Sequence, residues 1–183
     1  YMGRKGDGCH LFECLPNAWI RDRRPGKSLE GGKVVSEMML QPFQLGSLTL
    51  PNRVVMTTVK LGYGTGKGEV TDRHTAFYVR RAQGGVGLIA SEPMYVQLNG
   101  RELPTQLGIY ADELVSGLRR LTQAVHAAGG LMMAHINHAG RAANPKLVPA
   151  GELVSASEVL CPTNRVVPRS MNQNEIEEVV AAF

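Results

Sequence analysis

Aromatic side chains are scarce in this 183-residue chain: phenylalanine, tryptophan and tyrosine together make up 5% of it. Any core must therefore be aliphatic, built on Leu, Val, Ile, Met and Ala. Cysteine is scarcer still. Cys9, Cys14 and Cys161 form neither a disulfide framework nor a complete zinc site, and they read as reduced thiols of a cytoplasmic protein. No apolar run approaches the ~20 residues of a membrane span, and LFECLPNAWI is too short and too interrupted for a signal peptide. The net charge is +4, but the signs alternate (RDRR, TDRH) and no Lys/Arg block exceeds two. That leaves no basic stripe for nucleic acid. A Walker loop is missing, and so is a G-x-G-x-x-G after a strand; GYGTGKGE lacks the helix-opening spacing of a phosphate loop.

What remains is a globular composition, 43% apolar and 20% charged, long enough to bury roughly 70% of its unfolded surface in one domain. Residues 1–37 differ from the rest. They show no helical or strand period and are dense in charge, Gly and Pro. This stretch is expected to be an unstructured or loosely attached leader, with Met38 or Met39 as the true start and translated upstream sequence before it. The folded domain is expected over 38–183.

From residue 42 a regular alternation begins. FQLGSLTL (43–50) places two apolar stretches around Gly46-Ser47, a hairpin signal. NRVVMTT (52–58) is a β-branched run and an expected buried strand. Thr71 or Asp72 can cap a helix that runs through Gln83 and ends at Gly84-Gly85. VGLIAS (86–91) is a second apolar strand, followed by a long polar loop. The next helix opens near Asp112, with Leu114, Leu118, Leu121 and Val125 on one face, and closes at Gly129-Gly130. LMMAHI (131–136) is a third strand, followed by a long Pro-rich loop. A last helix starts at Asn172, whose spacing to Glu175 suggests a capping box; Ile176, Val179, Val180 and Phe183 set its face.

Apolar strands alternating with amphipathic helices indicate a parallel sheet with crossover helices. The loops after the strands are long and those before them are glycines, which puts the chemistry at the carboxyl ends of the strands. There the third strand delivers AHINHAGRAANP, a cluster of His135, Asn137, His138 and Arg141. One reading of that cluster is metal, with His126, His135 and His138 as ligands. It is disfavoured because His126 lies at the far end of its helix and His135 and His138 fall on opposite strand faces. Three βα units cannot close a barrel, which takes ~250 residues, so the chain is expected to be cut short before a fourth strand.

With the strand ends located, LGSLTLPNRVVM, YVRRAQGGVGLI, LGIYADEL and HINHAGRAANP resemble the old yellow enzyme family. The branch of NADH:flavin oxidoreductases and 2,4-dienoyl-CoA reductases fits best, over residues 41–183. The resemblance implies an α/β fold: the N-terminal portion of a (β/α)8 TIM barrel with an N-terminal hairpin across its bottom. It implies FMN as cofactor and NAD(P)H as reductant, with hydride passed through the flavin to a C=C bond conjugated to a carbonyl or thioester. It also implies a 4Fe-4S cluster in a C-terminal part beyond Phe183.

Carried over by position, Met56, Thr57 and Thr58 would lie against the flavin, where fixed donors stabilise charge growing on the ring; the bland alternative is two threonines that end a strand. Lys60 would lie near the pyrimidine or in solvent. Pro93 would be the small residue beside the flavin, and Glu92 a structural carboxylate tied to an Arg. His135 stands where relatives carry a Gln that makes two hydrogen bonds to the pyrimidine edge. A neutral His offers one donor and one acceptor on opposite sides of its ring and cannot copy that pair; Asn137, two positions on and facing the same way, could recover the second contact. His138 and Arg141 match an H-x-G-R turn and would tie the loop to carboxylates. Tyr78 and Arg81 would pack helix against sheet, Arg81 in an ion pair.

The catalytic residues are expected beyond residue 183, so the isolated chain is expected to be inactive. Its partners would be a small-molecule substrate and another copy of the full-length protein, with no nucleic acid and no membrane. Two alternatives stand beside the reductase: a non-catalytic half-barrel that binds a ligand or completes a partner subunit, and an amine-oxidising member of the same barrel family.

Overall fold

The computed structural model describes residues 37–183; the leader expected over 1–37 lies, apart from Glu37, outside the described residues. The hairpin forms where LGSL predicts it. Strands β1 (Phe43–Leu45) and β2 (Leu48–Leu50) pair antiparallel, with Leu45 opposite Leu48. Gly46 supplies the positive φ, +57°, that a two-residue hairpin loop needs.

Three further strands make a parallel sheet in chain order: β3 (Val55–Met56), β4 (Leu88–Tyr95) and β5 (Met132–Asn137). Helix α1 (Asp72–Gln83) links β3 to β4. A 3-10 turn at Asp112–Leu114 leads into helix α2 (Val115–Ala127), which links β4 to β5. Both helices stop at a glycine in left-handed conformation, Gly85 (φ +85°) and Gly129 (φ +82°), which explains why glycines stand immediately before each strand. The core is where helix faces meet the sheet. Tyr78 and Ala82 of α1, Ile89 of β4, and Leu121 and Val125 of α2 form one buried cluster. Leu114, Leu121 and Val125 are buried and Leu118 is partly so, as the helical period demands. Truncating a core leucine such as Leu121 to alanine costs about 2–5 kcal/mol.

Two strands differ from expectation. The run 52–58 yields only Val55–Met56. Asn52 turns the chain before it, accepting the Val54 N–H and donating to the Gly85 carbonyl. Strand β4 begins two residues late and continues four past Ser91, through Glu92 and Pro93, with every residue buried. The proline is tolerated because the ladder shifts register between Ala90 and Pro93, so its missing N–H breaks no regular pairing.

Residues 137–171 are not wholly loop. They carry β6 (Val154–Ser155) and β7 (Arg169–Ser170), a short parallel pair. Helix α3 (Gln173–Ala182) opens with the expected capping box: Asn172 Oδ1 accepts the Glu175 N–H at 3.0 Å and Glu175 Oε2 accepts the Asn172 N–H at 2.8 Å. Its apolar face stays exposed, Val180 at 70% and Phe183 at 56%. Among the described residues β5 pairs only with β4, so the sheet is an open segment and not a closed barrel.

Candidate functional site at the strand ends

Two side-chain hydrogen bonds draw the carboxyl ends of the three parallel strands together. The Thr58 hydroxyl donates to the Ser91 carbonyl at 2.6 Å, tying the exit of β3 to β4. The Ser91 hydroxyl in turn accepts the His135 N–H at 2.9 Å, tying β4 to β5. Pro93 stands directly across the ladder from His135, and Met56 from Ile89. Met56, Thr58, Pro93 and His135 are therefore gathered along the strand ends, with the exposed Thr57 beside them. Ser91 is the residue that sequence reasoning undervalued. It read only as the last residue of the strand VGLIAS, whereas its hydroxyl and carbonyl join all three strands.

The same rim holds polar groups without partners. Among the described residues the His135 ring makes no hydrogen bond, and the buried Asn137 Oδ1 lacks a partner too. Tyr95 and Asn137 are opposite each other on one rung. A buried acceptor left unpaired costs about 1–3 kcal/mol, so a ligand that brings an N–H there would be stabilised. The pyrimidine edge of a flavin presents an N–H between two carbonyl oxygens. Asn137 offers an acceptor and a donor, and His135 one donor. The donor set fits that group. An apolar cavity of about 400 Å³ lies between α2 and the sheet, lined by Ser91, Met94, Leu118, Leu121, Met132 and Ala134.

Beneath the rim sits a buried carboxylate. Glu92 is not tied to an arginine, as the sequence suggested. Its Oε1 lies 2.6 Å from His74 Nε2, both side chains being fully buried, and its Oε2 accepts the Leu61 and Gly62 N–H groups at 3.0 and 3.1 Å. The Thr71 N–H donates to His74 Nδ1 at 3.1 Å, so the ring proton resides on Nε2 and is donated to Glu92. The Tyr78 hydroxyl accepts the Glu92 N–H at 2.6 Å; burial pushes its pKa up to about 12. His74 went unnoticed in TDRH because its spacing to Thr71 marks a helix start, and nothing local points to a partner eighteen residues on.

Residues 38–183 match the profile of the NADH:flavin oxidoreductase / NADH oxidase family. The chain belongs to this family. It is 35% identical over 141 residues to the NADH oxidase of Thermoanaerobacter brockii, covering 76% of this chain and 22% of that protein. It is 36% identical over 142 residues to the NADH:acrylate oxidoreductase of Vibrio harveyi, covering 77% of this chain and 14% of that one. The fold superimposes on a 2-naphthoyl-CoA reductase with a TM-score of 0.73 and 28% identity, covering 80% of this chain and 24% of the other. The chain thus spans about a fifth of the length of such relatives. Its parallel βα units are the N-terminal portion of a (β/α)8 barrel, and the family uses FMN with a nicotinamide reductant.

Several tethers differ from those the resemblance implied. Lys60 pairs with Glu102 at 2.7 Å. Among the described residues His138 meets no carboxylate: its Nδ1 accepts the Gly140 N–H and its Nε2 faces Asn99 Oδ1, both at 3.1 Å. Arg141 makes no ion pair among the described residues, and its carbonyl accepts from Asn164. The Arg81 guanidinium stacks 3.5 Å from the centre of the Phe77 ring and forms no ion pair among the described residues. His126, His135 and His138 form no cluster able to hold a metal ion. No helix among the described residues is long and apolar enough to cross a membrane.

Proposed function

We propose that this chain supplies the β3–β5 wall of the FMN site of an NAD(P)H-dependent reductase. The substrate would be an alkene conjugated to a carbonyl or thioester. The observation that carries this reading is the Thr58–Ser91–His135 link, which sets unpartnered polar groups of His135 and Asn137 on one rim. One relative is named for acrylate and one solved structure for 2-naphthoyl-CoA; each compound has unsaturation conjugated to a carboxylate or thioester carbon, which supports the substrate class.

When bound, FMN supplies hydride transfer between nicotinamide and substrate. The chain's own residues bind and orient. Asn137 accepts an N–H at the pyrimidine edge, while His135 donates to a neighbouring carbonyl oxygen, where a fixed donor favours negative charge. Pro93, buried beside His135, walls water from that edge. Titration of the chain with FMN, followed by flavin fluorescence and absorbance, tests the reading: quenching with a red-shifted shoulder is expected, and an unperturbed spectrum at millimolar protein would refute it.

A second reading, a half-barrel that completes a partner subunit, is favoured by one observation. The outer edge of β5 is unpaired among the described residues, and Met133 and Ile136 on it are 46% and 38% exposed. Sedimentation of the chain would reveal a self-associating edge.

A further inference from the structure

Leu61 and Gly62 turn two successive N–H groups onto a single oxygen of Glu92, at 3.0 and 3.1 Å. Gly62 is left-handed, φ +61°. Consecutive amides converging in this way make a concavity for an anion. Here the anion is internal, a carboxylate from β4 that is fully buried together with the His74 ring that donates to its other oxygen. The nest follows β3 by five residues, on the segment that carries Met56, Thr57 and Thr58. Its carboxylate belongs to the residue between Ser91 and Pro93, which contact Thr58 and His135.

We infer that Glu92 and His74 are positioning residues: the carboxylate seated in the Leu61–Gly62 nest fixes the exit of β3 against the Ser91–His135 link, so that the Met56–Thr58 segment is held along the cofactor rim. The inference rests on the flavin reading for its ligand, but not for its geometry. Three elements meet at this carboxylate. β4 provides it, the loop after β3 donates twice, the first turn of α1 donates through His74, and Thr71 fixes the tautomer that makes His74 a donor. All three groups facing the carboxylate are donors. A glutamine in its place has one acceptor oxygen and must turn its own NH2 towards either the nest or His74 Nε2–H. Donor would face donor, and the Thr71 N–H at Nδ1 prevents His74 from answering by a tautomer shift. The charge is thus used for its acceptor capacity, which no neutral side chain of that size reproduces.

The experiment uses the full chain and two variants, Glu92→Gln and Gly62→Ala. Amide hydrogen exchange is read at Leu61 and Gly62 and, as internal reference, at Ile89 and Val96, which bond to the Leu131 and Asn137 carbonyls. FMN affinity is read by fluorescence. In Glu92→Gln the Leu61 and Gly62 amides are expected to exchange about tenfold faster, with Ile89 and Val96 unchanged and FMN bound about tenfold more weakly, the equivalent of one lost charge-assisted hydrogen bond. Gly62→Ala strains the nest but leaves the Glu92–His74 contact in place, and the same two effects are expected of it. Unchanged exchange at Leu61 and Gly62, or a uniform loss at all four amides with the flavin affinity of the folded fraction intact, would overturn the inference by showing a merely structural pair. If Glu92→Gln does not fold, Gly62→Ala decides alone, and wild-type affinity in it overturns the inference. Failure of the unmodified chain to bind FMN would refute the flavin reading and with it the cofactor half of the inference, while the exchange pattern would still decide whether the pair positions the β3 exit.

Discussion

The His138 ring lies against Gly100, so closely that a Cβ built on that glycine would sit 2.7 Å from ring atom Cδ2 and 2.8 Å from Cγ. The contact joins the loop after β4 to the turn after β5, and two backbone bonds reinforce it: Ala139 N–H to the Gly100 carbonyl and Asn144 N–H to the Arg101 carbonyl. Both loops border the strand-end rim. Their mutual fit is part of what shapes its mouth.

Gly100→Ala is therefore expected to displace the ring and break its bond to Asn99. Overpacking of this kind costs about 1–3 kcal/mol. A urea midpoint equal to that of the unmodified chain would contradict the contact.

The same ring makes stability depend on pH. Burial holds the His138 pKa below its ordinary 6.5, and its Nδ1 must stay unprotonated to accept the Gly140 N–H. The unfolded chain takes up a proton near 6.5, whereas the folded chain resists until lower pH. Stability is thus complete above 6.5 and is lost as pH falls through that value towards the folded pKa. His138→Asn should flatten the pH dependence of the unfolding midpoint in that window.

Ser91→Ala removes the acceptor of the His135 N–H and leaves that amide unpaired next to the rim. The expected loss is about 1–3 kcal/mol of stability, together with weaker FMN binding. Chemical denaturation and FMN titration read the two effects separately.

His135→Gln should tighten FMN binding. A carboxamide presents donor and acceptor side by side, which an imidazole cannot. The gain expected is about tenfold, the worth of one further hydrogen bond. Equal affinities would show that the carboxamide adds no contact to those that His135 and Asn137 already make.

Helix α3 carries its own acid sensitivity. Hydrogen bonds from Arg169 and from the Asn172 backbone lower the Glu175 pKa from 4.5 to about 2. The capping box therefore contributes fully above 4.5 and is lost as pH falls from 4.5 to about 2. Glu175→Gln should remove that step from the helical circular dichroism signal.

Much of this architecture is legible in local residues. Thr71-Asp72 and Gly84-Gly85 bound α1, Asn172 and Glu175 start α3, and Gly46 turns the hairpin. Each of these marks a backbone need met within a few residues. The path of β4 beyond Ser91 is not legible, because Glu92 and Pro93 read locally as loop residues. Burying the charge becomes tolerable only when donors from α1 and from the β3 exit arrive on it. The shortness of β3 is hidden for a similar reason, since Asn52 turns the chain by bonding to Gly85, far away in sequence. In the candidate site, His135 and the threonines were visible as polar residues ending apolar strands, whereas Ser91 as their link was not.

Sequence by itself determined the order of elements, their caps and the apolar faces, since periodicity and turn chemistry act over a few residues. Which polar groups meet was decided only by tertiary structure. Glu92 chose a histidine over an arginine and His138 an amide over a carboxylate, because a buried polar atom must take whichever partner the packed strands bring within about 3 Å.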